Sequence, residues 1–263
     1  MEPKALRILV LSDLGSTTDI TLRSAVSLAK MVNGTIDLFY VKKPGDIVQK
    51  ENQLSAIRSI NEEKNSTNKL IQERIKTTVA TYGVPIDYSF SFGNVKNEID
   101  TYIKNRRPDI IVMGKKQPKL FNLGSDGLTQ FVMDTHQGVM MIVGTEHALE
   151  PNQPFSLGVF NGANFGLARS LKVLSNQPLK SFKIAYVKDN SIEQQQEVDT
   201  IEYVFEEGDE SIKNLSNYLS KSSVNLFCVE RGHSKTENHI KTKHTDILNI
   251  ANTINISLLV SAQ

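Results

Sequence analysis

Cysteine is almost absent from this 263-residue chain, with Cys228 its single representative. A disulfide framework within the chain is excluded, and Cys228, set in an apolar strand-like run, reads as a buried structural thiol. Long hydrophobic runs are lacking as well. No stretch of about 18 apolar residues occurs, so nothing reads as a membrane-spanning helix. Nor is there a signal-peptide core, because Met1-Glu-Pro-Lys leads straight into a strand-like segment. Charge of one sign is missing too: 30 Lys and Arg stand against 29 Asp and Glu, a net charge of +1. That balance removes the global electrostatic case for nucleic acid or a membrane surface as partner. What remains is 39% hydrophobic content and a mean hydropathy of −0.27. Both fit soluble globular domains with real cores, and the expected location is the cytoplasm.

The chain contains one half-domain twice. Ile36-Asp-Leu-Phe-Tyr-Val-Lys42 returns as Phe182-Lys-Ile-Ala-Tyr-Val-Lys188. Tyr102 through Gly144 aligns with Tyr218 through Val260 without a gap, at a constant offset of 116 residues. In that register Asp109-Ile-Ile-Val-Met113 falls on Asn225-Leu-Phe-Cys-Val229. A repeat this long is a whole fold unit, beyond solenoid periods of roughly 20–50 residues. It implies two domains forming an internal pseudo-dimer, with expected limits 1–147 and 154–263. The linker between them, residues 146–154, carries two prolines and little periodicity.

Within the first copy, short apolar runs alternate with helical patterns. Ile8-Leu-Val-Leu11 reads as a strand; Leu22, Ala25, Val26 and Ala29 then share one helix face, and Gly34 is expected to close that helix. Strands follow at Ile36 to Val41, Ile86 to Phe92, Ile110 to Met113 and Val139 to Val143. The polar stretch 46–82 is expected to be mostly helix, with Leu70, Ile71, Ile75 and Val79 turned inward and part of the other domain covered. Copy two lacks about 30 residues at this point, so it is trimmed. Alternating strands and helices predict α/β domains, each a doubly wound five-stranded parallel sheet. The apolar last strands, Val139 to Val143 and Ile256 to Val260, are expected near the mutual interface, since exposed edges are normally protected.

The chemistry concentrates after the first and fourth strands, where ligands gather in such folds. Asp13 follows the first strand. Gly114-Lys-Lys-Gln117 follows the fourth, then nine residues, then Gly127-Leu128. At these positions the first copy resembles the universal stress protein family, whose nucleotide-binding members carry an aspartate and a Gly-x-x-Gly, nine residues, Gly-Ser/Thr element. His136-Gln-Gly-Val-Met-Met-Ile-Val143 is similar to that family's closing segment. The resemblance implies an adenine-nucleotide alpha-hydrolase-like fold and ATP or AMP as candidate ligands of the first copy. It implies Asp13 at the base or ribose, Val41 as main-chain partner of adenine, and Met113 and Gly114 in the pocket wall. Lys116 matches a basic position, with Gln117, Gly127 and Leu128 completing the loop. A loop that wraps phosphates needs bare backbone N–H groups close to the oxygens. Gln117 and Leu128 replace a glycine and a hydroxyl, so the motif is degenerate. Lys115 and Lys116 are candidates to neutralise a phosphate, which Asp126 would oppose. A competing register uses Gly124-Ser125. The alternative role for Asp13 is an N-terminal cap of the first helix.

Copy two has Asn161 and Gly162 after its first strand and Glu230-Arg-Gly-His233 after its fourth. It reads as a structural partner. His233, His239 and His244 are spaced six and five apart in a polar stretch and read as solvated; no metal site is assigned. No catalytic residue is assigned either, because no nucleophile-elbow sequence is present. The leading expectation is a non-enzymatic stress-response or regulatory protein acting through its surfaces. Its partners would be its own second domain, a second copy in a homodimer, or a regulatory protein. The alternatives are an ATP or AMP sensor and a nucleotide-dependent hydrolase, the latter resting only on Asp13 and Asp126.

Overall fold

The computed structural model describes residues 5–43, 53–115, 126–145, 148–160, 179–185, 202–206, 208, 210–231 and 244–261. The first half runs β1 (Leu6–Ser12), α1 (Thr18–Val32), β2 (Gly34–Lys42), α2 (Gln53–Tyr82), β3 (Ile86–Phe92), α3 (Val95–Arg106), β4 (Ile110–Gly114), α4 (Asp126–Thr135) and β5 (Val139–Val143). The second runs β6 (Leu157–Phe160), β7 (Leu179–Ala185), β8 (Glu202–Glu206), α5 (Ser211–Lys221), β9 (Leu226–Val229), α6 (His244–Thr253) and β10 (Ser257–Val260).

The described strands form one sheet in the order β3-β2-β1-β4-β5-β10-β9-β6-β7-β8. Neighbours are parallel except at the centre, where β5 and β10 pair antiparallel. Ile142 lies opposite Leu258 there, and these two residues are equivalent under the 116-residue offset of the repeat. Equivalent residues facing each other are what a two-fold, self-complementary junction requires. Pairing these strands also removes two apolar edges from solvent.

Strand alternation sends neighbouring side chains to opposite faces, and in the first half both faces are covered. Ile8, Val10, Ile110, Val112, Met141 and Val143 join α1 and α2 in one core. Leu9, Leu11, Ile111, Met113, Met140 and Ile142 join the other, against α3 and α4. Leu259 and Cys228 of the second half enter the first core, Leu258 and Val260 the second, so each core runs across the junction.

Three expectations change. Asn33, not Gly34, ends α1, adopting left-handed backbone at φ 51. Asparagine tolerates that region, which leaves Gly34 to open β2. A Cβ on Gly34 would lie 2.8 Å from Ile8 Cδ1 and 3.1 Å from the Leu6 carbonyl, so close strand approach accounts for the glycine. In α2, Ile71 and Ile75 are buried with Thr67 and Thr78, and Val79 packs against the core, but Leu70 is 41% exposed. The inward stripe is built on Thr67, Ile71, Ile75 and Thr78, and Leu70, one residue before Ile71, is rotated about 100° off it. Nor, among the described residues, does α2 cover the second half: it packs on α1 and β3, at the end of the sheet remote from β10, and residues 46–52 lie outside the described residues.

The connection between halves is built into the fold. Leu149 and Phe155 are each only 1% exposed and belong to the α1-side core. Arg23 pairs with Glu150 at 2.7 Å, Leu149 N–H donates to Ser24 Oγ, and Ser27 Oγ donates to the Glu150 carbonyl. The segment thus straps along α1 from Arg23 to Lys30, whose Nζ donates to Asn152 Oδ1. Fully burying Leu149 and Phe155 contributes about 1.5–3 kcal/mol each.

Candidate ligand cavity at the carboxyl ends of β1, β2 and β4

A cavity of about 250 Å³ opens where β1, β2 and β4 end. With strand order β3-β2-β1-β4-β5, the chain reverses winding between β1 and β4, the switch point at which such sheets leave a crevice. Leu11, Phe39, Val41 and Met113 form the apolar floor, with Val95 and Ile99 of α3 and Leu128 of α4 as one wall. Ser12, Asp13, Thr17 and Thr21 form a polar wall, and Lys43 stands at the end of β2.

The polar wall is shaped by the β1–α1 turn. Asp13 Oδ1 accepts from Gly15 N–H at 2.9 Å, and Leu14 N–H donates to Ser12 Oγ at 3.0 Å. Leu14 is held at φ 56 with its side chain buried, a backbone region most residues avoid. Asp13 is therefore a turn residue lining the cavity. It does not cap α1: that position belongs to Thr17, whose side chain makes no capping bond. The first turn instead carries a hydroxyl cluster, with Thr21 Oγ1 donating to the Thr17 carbonyl and Ser12 Oγ bonded to Thr18 Oγ1.

Gly114 closes the gap between β4 and α1. A Cβ there would lie 2.6 Å from Thr21 Oγ1 and 2.9 Å from Thr17 Oγ1, so only glycine fits without a shift. On the opposite side, the β1–β2 ladder stops at Ser12 and Tyr40. Val41 thus carries β2 past the end of its neighbour into the cavity. Phe39 is stacked on Tyr102, with centroids 3.9 Å apart, and the Tyr102 hydroxyl donates to Asp37. Burial, then the bond to Asp37, pushes the Tyr102 hydroxyl above its ordinary pKa. That hydroxyl stays protonated and fixes the floor.

Of the residues singled out in the sequence, Asp13, Val41, Met113, Gly114 and Leu128 come together around the cavity. Gly127 is exposed on α4 and is not part of the lining. Lys116 and Gln117 lie outside the described residues, as does the competing Gly124-Ser125 register. Lys115 is committed elsewhere: its Nζ donates to the carbonyls of Asn252 and Ile254 in the second half. This corrects the expectation of a phosphate contact, since a side chain holding two carbonyls across the junction is directed away from the first half's cavity. Thr17, Thr21, Phe39 and Lys43 were missed. The Thr17 to Thr21 spacing, four residues on the first turn of a helix after a strand, was the available signal.

His136 is buried, with Nε2 3.3 Å from the Val139 carbonyl. Burial, then the positive charge of Arg231, lowers its pKa to about 4. It is neutral near pH 7 and lies outside the cavity lining. Of the other four histidines, His244 opens α6, and His147, His233 and His239 lie outside the described residues. Among the described residues, no group of three His, Cys, Asp or Glu side chains could hold a metal ion, and no helix is long and apolar enough to cross a membrane.

The sequence model of the universal stress protein family matches residues 5–133. The sequence matches no curated protein. Among solved structures, a universal stress protein from Archaeoglobus fulgidus DSM 4304 is similar over 98% of this chain and 96% of its own, with 14% identity and a TM-score of 0.62. A functionally unknown protein from Pseudomonas aeruginosa PAO1 is similar over 98% of this chain and 92% of its own, with 12% identity and a TM-score of 0.59. At such identities these likenesses establish the fold.

Proposed function

We propose that the chain, whose residues 5–133 match the model of the universal stress protein family, is a regulatory protein whose first half binds an adenine nucleoside monophosphate. The observation that carries this reading is the cavity itself. Its volume of about 250 Å³ and its apolar floor of Phe39, Val41 and Met113 suit a planar base. Val41, extending beyond the β1 ladder, offers main-chain groups to that base, and Asp13 stands beside them for a sugar hydroxyl. AMP is favoured over ATP on two grounds. Lys115 is engaged by the second half, and Leu128 brings a hydrocarbon wall where a chain of phosphates needs donors. A missing hydrogen bond to a charged group weakens binding by about 1.5–3 kcal/mol, roughly ten- to a hundredfold.

In this reading the domains span 1–147 and 154–263, the second is a partner without a ligand, and the protein acts in the cytoplasm without catalysing a reaction. Partner proteins would read the occupied or empty first half. Calorimetry of the full chain with AMP and with ATP tests the reading. AMP is expected to bind more tightly, and Asp13→Ala to weaken its binding roughly ten- to a hundredfold while leaving the thermal midpoint within a few degrees. Tighter binding of ATP, or no loss on Asp13→Ala, overturns it. Release of phosphate during the ATP titration would favour a hydrolase instead.

A further inference from the structure

Lys115 and Arg231 occupy the same position in the repeat, 116 residues apart, Lys115 directly after β4 and Arg231 one residue further on, beyond Glu230, after β9. Each crosses the junction. Lys115 Nζ donates to the Asn252 carbonyl at 2.6 Å and the Ile254 carbonyl at 3.1 Å. Arg231 donates to the His136 carbonyl at 2.6 Å, and at 3.4 Å to those of Met133 and Gly138. Under the same offset, Asn252 is the equivalent of His136 and Ile254 that of Gly138. The two contacts are therefore one contact made twice, in opposite directions.

Its chemistry is that of a helix end. The last carbonyls of a helix have no partner within it and carry partial negative charge, so a cation placed on them satisfies both needs. Here the acceptors are at and just beyond the carboxyl ends of α6 and α4, and the donors come from the other half. The two sides differ in burial. Arg231 is 3% exposed and its Nε lacks a partner among the described residues, whereas Lys115 is half-buried.

We propose that Lys115 and Arg231 form a crossed latch, in which the segment leaving the fourth strand of each half holds closed the last helix of the other. In the first half Lys115 follows Gly114, a wall of the cavity. The second half thus positions that wall, a role for a partner with no matching ligand motif. The latch stands whether or not the cavity takes a nucleotide.

Hydrogen exchange by mass spectrometry on the full chain tests it, using Lys115→Met, Lys115→Arg, Arg231→Met and Arg231→Lys. Lys115→Met should accelerate exchange in residues 249–256 of the other half about tenfold to a hundredfold, the loss of charge-assisted bonds, while 133–139 keep wild-type rates. Arg231→Met should do the reverse. Lys115→Arg should retain protection, which a role in packing alone does not require. Should Arg231→Met fail to fold, Arg231→Lys keeps the charge but reaches fewer carbonyls, and should give intermediate acceleration at 133–139. Changes confined to the substituted residue's own half, or wild-type rates at 249–256 in Lys115→Met, would overturn the latch.

Discussion

Gly114→Ala isolates the contact on which the cavity's shape depends. The added methyl would meet Thr21 Oγ1 at 2.6 Å, Thr17 Oγ1 at 2.9 Å and Thr17 Cβ at 3.4 Å. Separations under 3 Å must be relieved, and the nearer hydroxyl, that of Thr21, does not yield easily. Thr21 is buried and its hydroxyl is bonded to the Thr17 carbonyl at 2.8 Å, within the first turn of α1. Moving α1 instead would disturb Leu22, Ala25 and Val26, all fully buried. Overpacking of this kind costs about 1–3 kcal/mol. Thr21→Ala alone removes a helix-internal hydroxyl bond and should cost about 0.5–1.5 kcal/mol. In the double variant the nearest clash is gone, so the two costs should fall short of additivity by about 1 kcal/mol or more. Urea unfolding followed by circular dichroism, with unchanged slopes, gives the four free energies of the cycle. AMP calorimetry on the same proteins should find weaker binding in Gly114→Ala, partly restored in the double variant. A Gly114→Ala protein within 0.5 kcal/mol of wild type, or an additive cycle, would refute the argument from close approach.

Three further outcomes are expected. The depressed pKa of His136, about 4 when folded against 6.5 as its ordinary value, means the unfolded chain binds the proton more readily. Its contribution is therefore full above pH 6.5 and is lost as pH falls toward 4, by up to about 3 kcal/mol; comparing wild type with His136→Gln by urea unfolding at pH 7 and pH 4.5 should reveal a pH-dependent difference, and a constant one would contradict it. Phe155→Ala should cost about 3–5 kcal/mol, as for a fully buried aromatic, and a urea-measured loss under 1 kcal/mol would mean that the connection between halves is not part of the core. If AMP occupies the cavity, it should slow hydrogen exchange at 249–256 in wild type but not in Lys115→Met, and equal slowing in both would mean that occupancy does not reach the second half through Lys115.

Periodicity and the internal repeat made much of this architecture legible before any coordinates. Runs such as Ile110 to Met113 and Val139 to Val143 are apolar at every position because both faces of the sheet are covered, and a short uninterrupted run of that kind has few other homes. The last strands were recognisable as partners for the same reason. What escaped depended on the third dimension. Leu70 and Ile71 both look like core residues, and only the placement of α2 against α1 and β3 decides that one is buried and the other is not. Leu149 and Phe155 are isolated apolar residues among prolines and polar groups, with no period to reveal that they are buried. In the cavity, Asp13 and Gly114 were visible because the resemblance to the universal stress protein family marks an aspartate after the first strand and a glycine after the fourth. Thr17 and Thr21 were not, since threonine at the start of a helix is ordinary capping material.

Lys115 was misread for a more instructive reason. A basic residue next to a glycine after a strand suggests an anion, and within one copy of the repeat nothing contradicts that. The second copy supplies the contradiction. Its equivalent of Gly114 is Glu230, an exposed carboxylate where a phosphate-facing backbone would be wanted, yet the next residue, Arg231, is still basic. If the positive charge at this position served a phosphate, replacing the glycine before it with a glutamate would remove the reason for keeping it. A charge that persists after the anion site has gone needs an acceptor elsewhere, and the carboxyl end of the other half's last helix supplies one in each direction. The two adjacent positions therefore answer to different constraints: Gly114 to close approach within its own half, Lys115 and Arg231 to the junction between halves.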